Sequence, residues 1–343
     1  MASRFTTLLL TRQDIERLVD YPLAIRVIRA AFEAMARGQA VMPAKLYLAL
    51  PGGNDFRAMP AFLSTPPACG LKWVNVHPGN PRRGLPTVMA VIVLNDPGTG
   101  FPVAILDGLL ITKVRTAAAA AVAAQTLARP QSRIVGLVGC GAQADAQLLA
   151  LAQVFRLSRV AVWGYAAGEA DRFCRRMRPE LPGIPFTPSD SVQACVREAD
   201  LVVTITTARR PLVRRAWLRP GTHLNAVGAD APGKQELDPM ILHEALVVVD
   251  EREQAIHGGE LNVPIKTGQF APQDIHASLG EVLIGRRRGR RDERELTVFD
   301  STGLAIHDVA LGAALLQRAL RRQAGQRVAL LSPGPRKAVR HQR

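Results

Sequence analysis

The residues with the clearest chemical potential form a glycine turn near the middle of the chain. Gly139 and Gly141 follow the apolar run 134–138, and Ala144 comes three residues later. In such a G-x-G-x-x-A turn the first glycine permits the tight turn and the second lets the backbone approach a pyrophosphate. The alanine keeps the next helix close to the strand. The N-terminus of that helix would offer free N–H groups to the phosphates. The turn therefore predicts a dinucleotide site.

Charged side chains outside this turn could act on a substrate. Lys72 lies within an apolar strand candidate, so it is either buried with a partner or exposed on an edge strand. Arg115 comes just before an alanine-rich helix, where its charge opposes the helix dipole; this favours anion binding over a solvated helix start. Asp230 ends a strand on a Gly/Pro-rich loop, where open α/β sheets bind ligands, although a plain turn aspartate is the alternative. Thr204 and Thr206 end another strand and could border the cofactor.

The elements of the first third predict a mixed sheet. Apolar residues at steps of three and four predict helices over 12–37, with Thr11 as N-cap. Period-two runs separated by Gly/Pro turns then predict strands over 45–50, 56–62, 71–77 and 88–95. A further strand over 101–106 leads into the alanine-rich helix over 117–127.

The elements after residue 130 predict a parallel sheet. Strand candidates at 134–138, 159–163, 200–205, 223–227 and 246–249 alternate with helices, and such βα units form parallel sheets with right-handed crossovers. The predicted fold class is α/β, with a Rossmann-like parallel sheet domain and a mixed α+β domain.

Composition narrows the class of protein. No apolar run reaches the roughly 18–20 residues of a membrane span, and the apolar run near the N-terminus is too short for an export signal. The four cysteines are scattered without C-x-x-C spacing, and the histidines form no metal pattern. We therefore expect no disulfide framework, no metal site and a reducing, cytoplasmic location.

The formal net charge of +15 raises the possibility of nucleic-acid binding. The excess arginine is concentrated at 286–291, 318–322 and 336–343, without interleaved aromatic residues or a nucleic-acid-binding motif. We interpret these runs as solvated loops, followed by a flexible basic tail over 331–343.

Several segments, taken in order, resemble the ornithine cyclodeaminase/mu-crystallin family. The matching segments are 59–61, 70–95, 107–108, 115–118, 139–144, 228–234 and 301–305. The resemblance implies a substrate-binding and dimerisation domain (1–115 plus 306–330), a Rossmann domain (116–305), bound NAD(H) or NADP(H), and a homodimer.

The resemblance also implies roles for individual residues. Lys72 would be the active-site lysine near the substrate nitrogen, and Arg115 would pair with the substrate carboxylate. Asp230 would act as acid or base on the amine or a water, while Lys45 and Arg57 would line the carboxylate end. The turn and the resemblance together predict cofactor contacts from Thr87, Arg115, Thr116, Gly139, Gly141, Ala142, Gln143, Ala144, Thr204, Thr206, Val227, Gly228, Ser301 and Gly303.

The run from 75 to 87 is similar to the alanine dehydrogenase and imine reductase branch. The predicted function is therefore NAD(P)-dependent hydride transfer at the Cα of a small α-amino acid or cyclic imino acid. One alternative is an ornithine cyclodeaminase, although Lys45 stands where those enzymes typically carry an arginine. Another is a non-catalytic ligand-binding protein like the crystallin members. The acidic residue expected after the strand 159–163 is missing, and no arginine is adjacent, so NAD and NADP both remain open.

Overall fold

The chain is described over residues 5–331 by a computed structural model, and two eight-stranded sheets organise it. The predicted basic tail lies outside the described residues except for its first residue, 331. In chain order the strands are β1 (Thr7–Leu10), β2 (Ala40–Val41), β3 (Leu46–Leu50), β4 (Asn54–Ser64), β5 (Pro67–Val76), β6 (Val88–Asn95), β7 (Pro102–Asp107), β8 (Ile134–Val138), β9 (Arg159–Trp163), β10 (Phe186–Pro188), β11 (Leu201–Thr204), β12 (Arg209–Val213), β13 (His223–Ala226), β14 (Gln235–Leu237), β15 (Ala245–Val249), β16 (Ala277–Ser278), β17 (Leu296–Asp300) and β18 (Gln326–Val328).

The helices cover the faces of these sheets. They are α1 (Arg12–Leu18), α2 (Tyr21–Ala36), α3 (Gly108–Leu127), α4 (Ala144–Leu151), α5 (Glu169–Met177), α6 (Val192–Val196), α7 (Pro239–Glu244), α8 (Arg252–Gly258), α9 (Asn262–Lys266), α10 (Leu279–Leu283) and α11 (Ala305–Arg322). Short 3₁₀ turns lie at Pro51–Gly53, Asn80–Arg83, Arg215–Trp217 and Pro272–Asp274. Thr11 caps α1 as predicted, in a capping box with Asp14.

The first sheet is mixed, in the order β18-β1-β7-β6-β5-β4-β2, with β3 paired to β4. β1 runs parallel to β7, and the other pairs are antiparallel. Its inner face packs under α2, α3 and α11 in one hydrophobic core.

The second sheet is parallel throughout, in the order β10-β9-β8-β11-β13-β17-β15-β16. Its central strands β11, β13 and β17 are fully buried, as expected for a parallel sheet covered on both faces. The predicted fold class, a parallel sheet beside a mixed α+β part, is confirmed.

Helix α3 connects the two sheets. Its alanines from 117 to 124 are fully buried, and Asn225 of β13 donates from Nδ2 to the Ala120 carbonyl at 3.1 Å. Because α3 contacts the mixed sheet, the parallel sheet and α11, it fixes their relative position. It also runs without interruption across residues 115 and 116, where we placed a domain boundary; that division stays a prediction.

Two expectations about these elements were wrong. The helix that carries Arg115 begins at Gly108 with Asp107 as N-cap, so Arg115 lies inside α3 and not before it. The 286–291 run is not uniformly solvated, because Arg290 is partly buried and donates to the carbonyls of Leu127 at 2.7 Å and Gly221 at 3.1 Å.

Candidate active site

A cavity of about 320 Å³ lies between the two sheets, where the carboxyl ends of the parallel strands face the mixed sheet. A neighbouring recess of about 500 Å³ shares Lys45, Asp230 and Thr302 with it. The predicted site residues that line the smaller cavity are Lys45, Arg57, Lys72, Arg115, Thr116, Gly141, Ala142, Gln143, Thr206, Val227, Gly228, Asp230, Ser301 and Gly303. Ligands of open α/β sheets bind at this edge, so the cavity is the candidate active site.

Four predicted cofactor residues do not line this cavity. Gly139 and Ala144 belong to the glycine turn behind it, and Ala144 is fully buried as the first residue of α4. Thr204 is fully buried at the end of β11. Thr87 lies before β6, where its carbonyl accepts from the His77 N–H at 2.7 Å.

A buried ion cluster lies at the floor of the cavity. Lys72 is 1% exposed, because β5 is an interior strand between β4 and β6 and Lys72 lies on the inner face of the sheet, opposite the exposed Trp73. Its Nζ lies 2.7 Å from Oδ2 of Asp308, a fully buried residue of α11. The Nε of Arg115 lies 3.1 Å from the other oxygen of the same carboxylate. One carboxylate thus pairs with two cations, which lowers the cost of burying both.

The environment of Lys72 shifts its protonation equilibrium. Burial lowers the pKa of the Lys72 ammonium to about 7; Asp308 opposes this shift and Arg115 adds to it. A lysine with such a pKa can exchange a proton near neutral pH, which an ordinary surface lysine cannot do.

Asp230 is held at the mouth of the cavity by two cations. Its Oδ2 accepts from Nη1 of Arg57 at 3.1 Å, and its Oδ1 pairs with Lys234. Arg57 itself is oriented by a two-pronged contact with Asp55, at 3.0 and 3.1 Å. Although burial alone would raise the pKa of Asp230, the charges of Lys234 and Arg57 lower it to about 2. Asp230 is therefore an anion throughout the neutral range.

Lys45 approaches the cavity from the segment before β3. Its Nζ donates to the Thr302 carbonyl at 2.6 Å, and burial lowers the pKa of Lys45 to about 8. The Thr302 loop is itself fixed by Asp250, whose carboxylate accepts from the backbone N–H of Thr302 at 2.7 Å and of Gly303 at 2.8 Å.

The glycine turn has the geometry that a dinucleotide requires. Gly139 has φ +111°, and a Cβ there would lie 2.8 Å from the Ile205 carbonyl, so only glycine fits. At Gly141 a Cβ would meet no atom within 4 Å, which leaves open space beside the backbone for a pyrophosphate. Oε1 of Gln143 is buried and has no hydrogen-bond partner within residues 5–331, so it is free to accept from a cofactor. These features fit a bound nicotinamide dinucleotide.

Buried carboxylates hold the loops around this turn. Glu236 accepts from the backbone N–H of Thr206 at 2.7 Å and of Gly228 at 2.9 Å, and so ties the ends of β11 and β13 together. Glu260 accepts from Glu236 N–H and Asp300 accepts from Glu260 N–H, each at 2.9 Å. Burial raises the pKa of all three carboxyls, Glu236, Glu260 and Asp300.

Sequence reasoning missed several of these residues. Asp308 is the most important, and its signal is a charged residue within the apolar run of α11. Lys234 lies in the matching segment 228–234 but was assigned no role, and neither Asp250 nor Glu236 was predicted as a site residue. In the described range 5–331, no three His, Cys, Asp or Glu side chains are grouped closely enough to hold a metal ion. Nor does any helix of that range have the length and apolar character needed to cross a membrane.

Known proteins share this architecture over almost the whole chain. The sequence model of the Ornithine cyclodeaminase/mu-crystallin family matches residues 5–323. An alanine dehydrogenase from Archaeoglobus fulgidus is 45% identical over 322 residues, covering 94% of this chain and 98% of that enzyme.

Two solved structures are similar in fold as well as in sequence. An archaeal alanine dehydrogenase dimer with bound NAD has a TM-score of 0.91 and 44% identity, covering 95% of this chain and 100% of its own. The Thermococcus litoralis Delta(1)-pyrroline-2-carboxylate reductase, in complex with NADH and L-proline, has a TM-score of 0.91 and 35% identity, covering 94% and 100%. With the family match over nearly the full length, the chain belongs to the ornithine cyclodeaminase/mu-crystallin family.

Proposed function

We propose that this protein is an NAD(P)-dependent oxidoreductase that interconverts a small α-amino acid or cyclic amino acid with its imine. The observation that carries the proposal is the buried cluster of Lys72, Arg115 and Asp308, which faces the glycine turn across one cavity. Burial of these charges costs stability, which favours a functional role for the cluster. The cluster also lies where a nicotinamide dinucleotide would present its reactive end.

The charges of the cavity favour a substrate with a carboxylate. Its lining includes five basic residues and a single acidic one, Asp230; the basic residues are Lys45, Arg57, Lys72, Arg115 and Lys234. Arg115 uses Nε for Asp308, and its Nη atoms lie against Gly303, which also lines the cavity. We assign Arg115 to the substrate carboxylate, with Arg57 and Lys45 adding positive charge.

The chemistry divides between cofactor and protein. A bound nicotinamide would supply the hydride to Cα of the imine, or accept it in reverse. Lys72, with its pKa of about 7, is our candidate for the group that donates the proton to the imine nitrogen and takes it back in oxidation. Asp230, an anion at neutral pH, would accept a hydrogen bond from the amine or a water and would stabilise the positive charge of the substrate amine.

The activities of the relatives support this class of reaction. The Archaeoglobus fulgidus relative is an alanine dehydrogenase, and the Thermococcus litoralis relative is a Delta(1)-pyrroline-2-carboxylate reductase with NADH and L-proline. We therefore propose pyruvate with ammonia and Delta(1)-pyrroline-2-carboxylate as the first substrates to test with NADH and NADPH.

A lyase is the second candidate, because a similar structure belongs to a lysine cyclodeaminase at 32% identity. Incubation with ornithine in the absence of an imino acid separates the two reactions. Proline formation without net change in NADH would support the lyase, whereas net NADH oxidation with an imino acid supports the oxidoreductase. If the protein bound NADH but turned over neither ornithine nor an imino acid, a non-catalytic ligand-binding role would be favoured instead.

We also propose that the protein is a homodimer that packs through the outer face of the mixed sheet. Leu46, Ala58, Trp73 and Val91 pair in one row across β3, β4, β5 and β6, on the side opposite Lys72. Leu46 is 61% exposed and Val91 is 45% exposed, so this row forms an apolar surface that favours burial. The dimer of the archaeal alanine dehydrogenase supports the proposal.

The four cysteines are compatible with a reducing compartment. All are free thiols, and Cys174 and Cys195 are buried. We propose a cytoplasmic location on this basis.

A further inference from the structure

The end of β9 lacks the residue that usually distinguishes NAD from NADP. In dinucleotide-binding folds an acidic residue about 20 positions after the glycine turn accepts from the ribose 2′-hydroxyl. Here β9 ends at Trp163 and Gly164 follows, with no side chain to offer. The position itself is correct, because the Trp163 carbonyl accepts from the Gly139 N–H at 2.9 Å and so joins the strand end to the turn.

A carboxylate from another element fills the space at this position. Glu169 is the first residue of α5. If Gly164 carried a Cβ, that atom would lie 2.9 Å from Oε2 of Glu169 and 3.1 Å from Sγ of Cys140 in the glycine turn. Oε2 also accepts from the Ala166 N–H at 3.2 Å, which fixes the side chain against the loop after β9.

We propose that Glu169 replaces the missing acid and makes the protein selective for NAD(H) over NADP(H). Its carboxylate accepts from the 2′-hydroxyl of the adenosine ribose and repels the 2′-phosphate of NADP(H). This inference rests on the proposed nicotinamide-dependent function, and it names the residue that selects the cofactor.

Two features of α5 bear on the alternatives. Glu169 could serve only as a cap for Ala166, which would be a purely structural role. Arg172 also lies beside this loop, since its Nη1 is 3.2 Å from where a Cβ of Gly168 would stand. If Arg172 held a 2′-phosphate, NADP(H) would be preferred.

The test compares NADH and NADPH in wild type and Glu169→Gln, which keeps an oxygen acceptor for Ala166 but removes the charge. Dissociation constants from titration calorimetry need no turnover, and kcat/KM with the imino acid gives a second measure. Wild type should bind NADH more tightly than NADPH. Glu169→Gln should reduce this ratio about tenfold or more, because hydrogen bonds to charged groups are the stronger ones.

Two further variants make the result specific. Asp171→Asn removes the same charge from an exposed position in the first turn of α5, and it should leave the ratio unchanged. The double variant Gly164→Asp with Glu169→Ala returns the acid to the usual position, and it should restore selectivity for NADH.

The possible failures are distinguishable. If wild type binds NADPH at least as tightly as NADH, the inference is overturned. If Glu169→Gln weakens both cofactors equally, the role of Glu169 is structural and the inference is again overturned. If NADH binds selectively but no imino or oxo acid is reduced, the proposed function fails while the inference stands.

Discussion

Asp308→Asn tests whether the buried cluster is built around one carboxylate. Asp308 is fully buried, 2.7 Å from Nζ of Lys72 and 3.1 Å from Nε of Arg115. Asparagine has the same shape, so the change removes charge and leaves the packing nearly intact. Two cations would then share a buried space with no anion in contact.

The distances set the expected size of the effect. Coulomb's law with an effective dielectric constant of about 20 gives roughly 6 kcal/mol for unit charges at the separation of Lys72 and Asp308. Removal of one partner of a buried ion pair usually costs about 3–5 kcal/mol, and we expect a loss of unfolding free energy in this range. Because Asp308 favours the ammonium of Lys72, its loss should also lower the pKa of Lys72 further below 7. A pKa shift of about one unit corresponds to only about 1.4 kcal/mol, well within the interaction energy of the pair.

Two measurements follow from the same variant. Urea unfolding gives the change in stability, and the pH profile of kcat/KM in the reductive direction reports the proton donor. The pKa of the basic limb of this profile should fall by about one pH unit or more. Glu244→Gln is the control, since its ion pair with Arg215 is equally short but exposed and should contribute about 0–1 kcal/mol. A folded Asp308→Asn enzyme with wild-type stability and an unchanged basic limb would refute the role of Asp308.

Further predictions address the lysine, the glycine turn and the dimer. The pKa of Lys72 is near 7 in the folded state and about 10.4 in the unfolded chain, so between these pH values the unfolded state binds more protons and stability rises with pH. Relative to Lys72→Met, the unfolding free energy of wild type in urea should therefore increase by about 2 kcal/mol from about pH 7 to pH 9. A difference between the two proteins that stays constant with pH would contradict the lowered pKa. Gly141→Ala should fold with wild-type stability but should weaken NADH binding by about tenfold or more. Gly139→Ala should instead lower the unfolding free energy by about 1–3 kcal/mol. Equal thermal stabilities for the two variants would contradict this distinction. Val91→Asp should convert the dimer to a monomer in sedimentation velocity. Met240→Asp is the control, because Met240 is also an exposed apolar residue but lies on α7, and this variant should remain a dimer. A Val91→Asp protein that stays dimeric would place the interface elsewhere.

Elements with local signals could be predicted closely from the sequence. β6, β8 and β9 begin and end at the expected residues, because continuous apolar runs are bounded there by turn residues. The glycine turn was identified for the same reason, since its function depends on backbone conformation within six consecutive residues.

Features that depend on contacts distant in sequence could not be predicted. Arg115 and Asp308 are 193 residues apart, so the charge that makes burial of Lys72 possible has no local signature. The first two turns of α3 were missed because Thr112, Lys113 and Arg115 interrupt the apolar pattern; their polar groups face partners such as Asp308 and Asp145 across the fold. β10, β16 and β18 have only two or three residues, and their positions are set by pairing with longer strands.

The most direct test of the account is the rate of NADH oxidation with an imino acid panel that includes Delta(1)-pyrroline-2-carboxylate and pyruvate with ammonia. Wild type should reduce at least one member with net consumption of NADH. Lys72→Met should still bind NADH in calorimetry but should lose about 100-fold or more in kcat/KM, as expected for loss of a general acid. A wild-type protein that binds NADH and reduces no member of the panel, or a Lys72→Met variant that retains full activity, would contradict the proposed reaction at this site.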